Sequence, residues 1–465
     1  MTLFEVLAVL ITLTALIGFV NERYIGLPPT IGVLLGGLLV SLALVALDEL
    51  GLTGQGFAAG LLAQIDFDAL LMQGLLSFLL FAGALHINLG ELLEQKWTIL
   101  LLATFGTLLS TLLIGGAMYG VLAALGLPIP LAWALLFGAL ISPTDPIAVL
   151  GILKRMNAPR RLEVLIGGES LFNDGVGVVV FTMIAGLALG EGHAEPTAAG
   201  AAGLFLREAV GGVAYGLLLG WAAFHLLRRI DNYTVEILIT LAVVTGGYAL
   251  AGRLHTSGPI AVVVAGILVG NPGRRFAMSE VTRGHLDTFW LVVDEALNAV
   301  LFVLIGLEVL VLRLTGPFLA AGLAAIPVVL AARAVSVGAP IAALRLRVPF
   351  LPYTVRTMTW GGLRGGIAVA LALSLPASHA RDLVVVMTYA VVVFSILVQG
   401  LTVAPLARRA TARGVEAPLA LDSSGVPVDA LVPAPAAEPD ADEPAAEGAP
   451  LVADAPAGSA DLRPS

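Results

Sequence analysis

Long apolar runs follow one another along most of the chain, and only short polar segments separate them. A hydrocarbon core of about 30 Å needs roughly 20 apolar residues per helix. By this measure the pattern predicts an all-α, polytopic membrane protein with about 13 transmembrane helices. The predicted spans are 3–20, 27–47, 69–89, 97–125, 127–153, 163–190, 203–227, 233–252, 256–272, 289–313, 315–344, 351–376 and 381–408.

Helix breakers interrupt two of these spans near their middles. In the fifth span, Pro143 and Pro146 break the pattern near 142–146, because proline lacks a backbone donor and disfavours helix at the residue before it. In the twelfth span, glycines surround Arg364 near 361–366. Irregular backbone at membrane depth is tolerated where it is buried in protein or lines a cavity. Paired breaks of this kind point to the binding site of a transporter.

The two broken segments also resemble each other. PIAVLGIL in the first aligns without gaps with GIAVALAL in the second, which sets Thr144 against Arg364. Each belongs to the middle span of a three-helix group, 97–190 and 315–408. In the deduced topology the two middle spans run in opposite directions. The sequence therefore predicts inverted repeats with two discontinuous helices.

Composition and charge agree with this class and give an orientation. The chain is 58% hydrophobic and 12% charged, with a mean hydropathy of +0.98, whereas ordinary soluble domains carry about 25% charged residues. One set of alternate loops holds 17 Lys and Arg residues and the other holds 4. Since positive loops face the cytoplasm, we expect a multi-pass protein of the cell membrane with its N-terminus outside and its C-terminus inside. The first span lacks the features of a cleaved signal peptide.

The last 52 residues, 414–465, differ from the rest. Ten acids against Arg463 alone account for the whole net charge of −9. The segment is rich in Pro and Ala and has no aromatic residue, so it cannot bury enough apolar surface to fold. We predict a transmembrane domain at 1–413 followed by a disordered, acidic cytoplasmic tail.

Polar residues head the sixth span, in GGESLFNDGVGVVVF. Glu169 and Asn173 lie four residues apart, and Ser170 and Asp174 have the same spacing. The two pairs therefore form adjacent stripes on one side of a helix. A carboxylate in hydrocarbon costs about 2.5–3.5 kcal/mol on insertion scales, so such a group is expected to be paired, to face water or to carry function.

These side chains predict an ion site. The oxygens of Asp174, Ser170 and Thr144 suit a small hard cation such as Na⁺. Desolvation favours the protonated form of the same Asp174. A site that holds either a cation or a proton is the minimum machinery of an exchanger.

The remaining charges near the breaks are predicted to support the site. Arg364 needs an anionic partner at membrane depth, and Glu169 is the predicted one, with Asn173 bridging them. The carboxylate of Asp145 could cap the amides of a broken half-helix or take part in the site directly.

Other polar residues in the spans are interpreted as structural. Glu308 and Arg333 are predicted to pair or to face water near span ends, and Asp294, Glu295 and Asn298 recur at helical spacing. The six histidines show no ligand spacing and there is no cysteine, so we expect no zinc, haem or disulfide.

Five motifs in order carry a family resemblance: SPTDPIAVLGILK, GESLFNDGVGVVVF, SGPIAVVVAGILVGN, FWLVVDEALNAVLFVLIGLEV and WGGLRGGIAVALALSLP. The chain resembles the NhaP-like sodium/proton antiporters, relatives of the animal sodium/hydrogen exchangers, from about residue 3 to 410. The resemblance implies 13 helices, a homodimer, and a core domain that moves against a dimerisation domain. The two three-helix groups would form the core and the remaining helices the scaffold.

The resemblance also implies roles for single residues. Asp174 would carry cation and proton in turn, and Thr144 and Ser170 would line the ion site. The supporting network would consist of Glu169, Asn173 and Arg364. An Asn-Asp pair, as at 173–174, resembles the electroneutral members, whereas related electrogenic antiporters carry two acids there. The chain departs from many relatives at Ala82, where they carry an acid close to the ion site.

The sequence thus favours an electroneutral antiporter that exchanges Na⁺, or also Li⁺, for H⁺. Its predicted partners are monovalent cations, protons, the lipid bilayer and a second copy of the chain, with no cofactor, no enzymatic activity and no nucleic acid. K⁺/H⁺ exchange on the same fold is the first alternative. An ion channel would need a continuous polar lining, and an intramembrane aspartyl hydrolase would need two acids such as Asp145 and Asp174 to share a proton.

Overall fold

The computed structural model describes residues 3–50, 74–155, 158–189, 198–273, 278–307, 315–346, 348, 350–351 and 353–415. These ranges are almost entirely helical. The predicted tail from Glu416 onward, the beginning of the third predicted span and Glu308 lie outside the described residues.

The described helices have the following order along the chain. They are α1 (Leu3–Val20), α2 (Pro29–Glu49), α3 (Leu76–Leu85), α4 (Leu89–Glu94), α5 (Lys96–Leu101), α6 (Thr107–Ala124), α7 (Leu131–Ile141), α8 (Ile147–Arg155), α9 (Arg160–Leu189), α10 (Ala198–Leu227), α11 (Tyr233–Arg253), α12 (Gly258–Leu268), α13 (Glu280–Leu307), α14 (Gly316–Leu344), α15 (Thr354–Gly361), α16 (Gly366–Leu373), α17 (His379–Phe394) and α18 (Gly400–Val415). π-helical turns continue α1 and α12 and join α5 to α6 and α17 to α18.

Within the described ranges, nine helical segments are long and apolar enough to cross a membrane. Two shorter apolar helices, α3 and α12, and two interrupted ones, α7–α8 and α15–α16, lie between them in the predicted order. The number of 13 crossings stays a prediction. One boundary is wrong: α13 begins at Glu280 rather than at 289, because its first turns are charged and a hydropathy criterion leaves them out of the span.

Both predicted interruptions are confirmed. The backbone leaves the helical conformation at 142–146 between α7 and α8, and at 362–365 between α15 and α16. At the crossing, the amide of Asp145 donates to the carbonyl of Leu363 at 2.8 Å, as part of an antiparallel bridge. The antiparallel pairing shows that the two segments run in opposite directions at the crossing.

The middle of helix α9 is enclosed by other helices. Nearly every residue from Leu162 to Phe181 is buried, as expected of a helix surrounded by others. It packs on α7, while α14 packs on α6 and α17. The main apolar cluster takes residues from α7, α13, α14, α16 and α17. The polar residues Glu169, Ser170, Asn173 and Asp174 therefore lie within the buried stretch of α9.

Candidate ion site

The first interrupted helix and α9 share a polar cluster. The hydroxyls of Thr144 and Ser170 lie 2.9 Å apart. Asn173 accepts a hydrogen bond from the Thr144 amide at 3.2 Å, and its Nδ2 donates to Thr144 Oγ1 at 3.0 Å. All three residues are at most 1% exposed. The break at Pro143 and Pro146 leaves the Thr144 amide free of helical bonding, and the Asn173 side chain replaces the lost partner.

Glu169 is neutralised by an arginine that the sequence did not assign to it. Arg333 of α14 donates from Nη1 and Nη2 to the two carboxylate oxygens of Glu169, at 2.7 and 2.8 Å. Asn173 Nδ2 adds a third bond to Glu169 at 2.9 Å. The predicted Glu169–Arg364 pair is therefore wrong, and so is the position of Arg333 near a span end. A bidentate pair of this kind is the strongest geometry for a buried charge.

Arg364 binds the backbone of the other broken helix instead. Its Nη1 donates to the carbonyls of Ser142 and Pro143, the second at 2.8 Å. Its own amide donates to Ser395 Oγ at 2.9 Å. Helix α7 ends at Ile141, so these carbonyls lack helical partners and the guanidinium supplies donors to them. The positive charge thus sits at the C-terminal end of a helix, where the dipole favours it.

Asp174 differs from every other acid in the cluster. It is 7% exposed, against 1% for Glu169, so part of it stays accessible. Among the described residues, none forms a hydrogen bond or ion pair with its carboxylate. A buried carboxylate without a partner is unfavourable when ionised. The group therefore has a strong preference for binding a proton or a cation.

Asp145 reaches across to the second broken helix. Its carboxylate lies 2.5 Å from where a Cβ atom would stand on Gly365, the residue before α16. Only glycine leaves room for this approach. The carboxylate thus lies at the amide end of α16, and both roles predicted for Asp145 remain predictions.

The arrangement can bind a small cation. A carboxylate and two hydroxyls provide hard oxygen ligands near the broken helices. In the part of the chain with described coordinates, no group of three or more His, Cys, Asp or Glu side chains could hold a metal ion.

Two of the other predicted polar positions are hydrogen-bonded to each other. Asn298 donates to Asp294 at 3.1 Å on the same helix. Ala82 is 1% exposed and packs in the apolar cluster around Trp290. Sequence reasoning missed Ser395 as a partner of the second break. It also missed Arg333 as the partner of Glu169, although an arginine near the middle of a 29-residue apolar helix signals a buried acid nearby.

Comparison with known proteins gives a consistent result. The chain matches the model of the family described as sodium/hydrogen exchanger, transmembrane, over residues 9–409. The Na⁺/H⁺ antiporter NhaP of Pseudomonas aeruginosa is 51% identical over 413 residues, covering 87% of this chain and 96% of that protein. The Na⁺/H⁺ antiporter NhaH of Halobacillus dabanensis is 40% identical over 348 residues, covering 74% and 83%.

A solved structure has the same fold. The sodium proton antiporter MjNhaP1 from Methanocaldococcus jannaschii matches with a TM-score of 0.68 at 21% identity. The match covers 88% of this chain and 99% of that one. The helical architecture is thus shared at low sequence identity.

Proposed function

The chain belongs to the sodium/hydrogen exchanger family of membrane transporters, and from this premise we propose that it exchanges Na⁺ for H⁺ at Asp174. One observation carries the proposal. Of the two acids that α9 contributes to the polar cluster, Glu169 is neutralised by Arg333, while Asp174 is unpaired within the described structure. The first is a structural charge, and the second is available to an ion.

Competition at one carboxylate makes the exchange obligatory. Asp174 with a bound proton is neutral, and Asp174 with a bound Na⁺ is nearly so. The empty, ionised site faces the full penalty of a buried charge. The core can therefore rearrange across the membrane when loaded and not when empty. Since both ions use the same oxygen atoms, raising the pH should increase the apparent affinity for Na⁺.

The ion would be held from both sides of the crossing. We assign Thr144 and Ser170 as its hydroxyl ligands beside Asp174, with Asp145 close to the same break. Asn173 fixes the position of Thr144 by two hydrogen bonds. Glu169 orients Asn173 in turn, and Arg364 holds the carbonyls before Thr144. Each of these bonds supports the position of a ligand.

The finer properties follow as proposals from the family. One proton for one monovalent cation makes the exchange electroneutral, in keeping with Asn173 preceding Asp174. The loop charges place the N-terminus outside the cell and the tail in the cytoplasm. The working unit is a homodimer in the cell membrane, in which the core groups move against the other helices.

The test is cation-driven proton flux in proteoliposomes. Asp174→Asn should abolish Na⁺-induced alkalinisation while the purified protein keeps its helical content and elution profile. Glu236→Gln is the matched control, because Glu236 is an equally enclosed acid on α11, outside the site. Substantial exchange by Asp174→Asn would contradict the assignment.

The same proteoliposome assay identifies the preferred cation. Na⁺, Li⁺ and K⁺ compared at fixed pH should give the largest response with Na⁺. A larger response with K⁺ would replace Na⁺/H⁺ exchange by K⁺/H⁺ exchange at the same residue.

A further inference from the structure

A small cavity lies beside the second break, and Asp174 is not among its lining residues. Its volume is about 10 Å³, and its polar lining consists of Arg333, Thr359, Arg364 and Gln399. The remaining lining is apolar apart from Gly362. The cavity therefore separates the arginine that neutralises Glu169 from the arginine that binds the first break.

Three residues around this cavity have buried polar atoms without a partner in the described structure. They are Arg333 Nε, Arg364 Nη2 and Thr359 Oγ1. Each such atom costs about 1–3 kcal/mol when its hydrogen bond is unmade, and charged groups cost more. The absence of a side chain on Gly362 keeps the space open, since a Cβ there would lie 2.8 Å from Arg333 Nε.

We propose that one water molecule occupies this cavity and bridges Arg333 and Arg364. A water needs roughly 10–15 Å³ and two to four polar partners. Its oxygen accepts from Arg333 Nε and Arg364 Nη2, and one of its hydrogens is donated to Thr359 Oγ1. A single molecule thus satisfies all three atoms.

The summed charge of the cavity's two arginines and the neighbouring polar cluster favours a neutral occupant over an anion. Glu169, Asp145 and Asp174 supply three carboxylates, against two guanidinium groups. One proton or cation at Asp174 brings the sum to zero. An anion between the arginines would restore a net negative charge inside the membrane, which is costly. The water site itself does not depend on Asp174 being the transport site.

This water is a positioning element. The Nη1 of Arg364 holds the carbonyls of Ser142 and Pro143, and the water would hold Nη2 of the same guanidinium. It would also connect α14 to the second break through Arg333. Loss of the water would leave both arginines with unpaired donors and loosen the crossing.

Direct observation is the first test. In a map of the full-length protein sharp enough to show ordered water, we expect one peak within hydrogen-bonding distance of Arg333 Nε and Arg364 Nη2. A map that orders both side chains without a peak between them overturns the proposal. In crystals soaked in bromide, anomalous density at this position would also overturn it and show an anion site.

Substitution of the hydroxyl is the second test. Thr359→Val removes the hydroxyl that accepts a hydrogen bond from the water, so it should lower the midpoint of thermal unfolding. Thr359→Ser keeps a hydroxyl, so its midpoint should stay close to that of the unsubstituted protein. Thr357→Val is the matched control on the same helix, since Thr357 Oγ1 is also buried and unpartnered but Thr357 does not line the cavity. There, removal of an unsatisfied hydroxyl should leave the midpoint unchanged or raise it. Equal midpoints for Thr359→Val and Thr357→Val would contradict the water site.

Discussion

At the scale of single residues, the two cluster acids of α9 differ because only one of them has a partner in the described structure. Glu169 and Asp174 are five positions apart on one helix, and burial alone does not distinguish them. The difference comes from Arg333, which is 164 residues away from Glu169 in the chain. The sequence predicted different roles for the two acids but named the wrong partner for Glu169, because periodicity gives the face and depth of a residue and says nothing about which other helix lies opposite.

The Glu169–Arg333 pair leads to a stability prediction. Glu169→Leu or Arg333→Leu leaves an unpaired buried charge, and each should cost about 3–5 kcal/mol of stability. The double variant removes both charges, so we expect it to unfold at a higher temperature than either single variant. Thermal unfolding in detergent measures this. If the losses of the two single variants add in the double variant, the two side chains are not coupled, and the ion pair is contradicted.

At the scale of elements, the two helix breaks were predictable because the residues that cause them lie at the breaks themselves. Two prolines and a run of glycines act on their own backbone, and the structure places both interruptions where these residues stand. The partners of the exposed backbone groups were harder to predict. Ser395 binds the Arg364 amide from a π-helical turn, and the apolar pattern of α17 gives no sign of this turn.

Crowding at the second break gives a prediction about glycine. Gly365→Ala would place a Cβ 2.5 Å from Asp145 Oδ2 and 2.7 Å from its Cβ, so it should lower both thermal stability and exchange. Gly151→Ala on α8 is the matched control. No atom lies within 4 Å of its Cβ position, and alanine in a helix is favoured by about 0.5–1 kcal/mol. Equal effects of the two variants in melting and flux assays would contradict the crowding argument.

At the scale of the whole molecule, the sequence predicted the class, the order of the helices and the family. These features rest on apolar length and on motifs, which are properties of the chain alone. The orientation of the termini, the dimer and the division into moving and fixed parts stay predictions. They depend on the bilayer and on a second copy.

Electroneutral exchange is the prediction for the whole molecule. If one H⁺ replaces one Na⁺, no net charge crosses per cycle. A membrane potential of 100 mV acts on a translocated charge with about 2.3 kcal/mol, so an electrogenic cycle would respond strongly. We expect the same Na⁺-driven proton flux in proteoliposomes with and without an imposed potential. A flux that changes with the sign of the potential would show a net charge per cycle.

The bond between Asp145 and Leu363 has a mechanical consequence. Together with the hydrogen bonds from Arg364 to the carbonyls of Ser142 and Pro143, it joins the two interrupted segments, where helical hydrogen bonds are missing. Separating the two segments would leave the Asp145 amide and the Arg364 guanidinium buried without these hydrogen-bond acceptors. For the proposed exchange we therefore expect the two interrupted segments to move together, with the rearrangement taking place between helix groups.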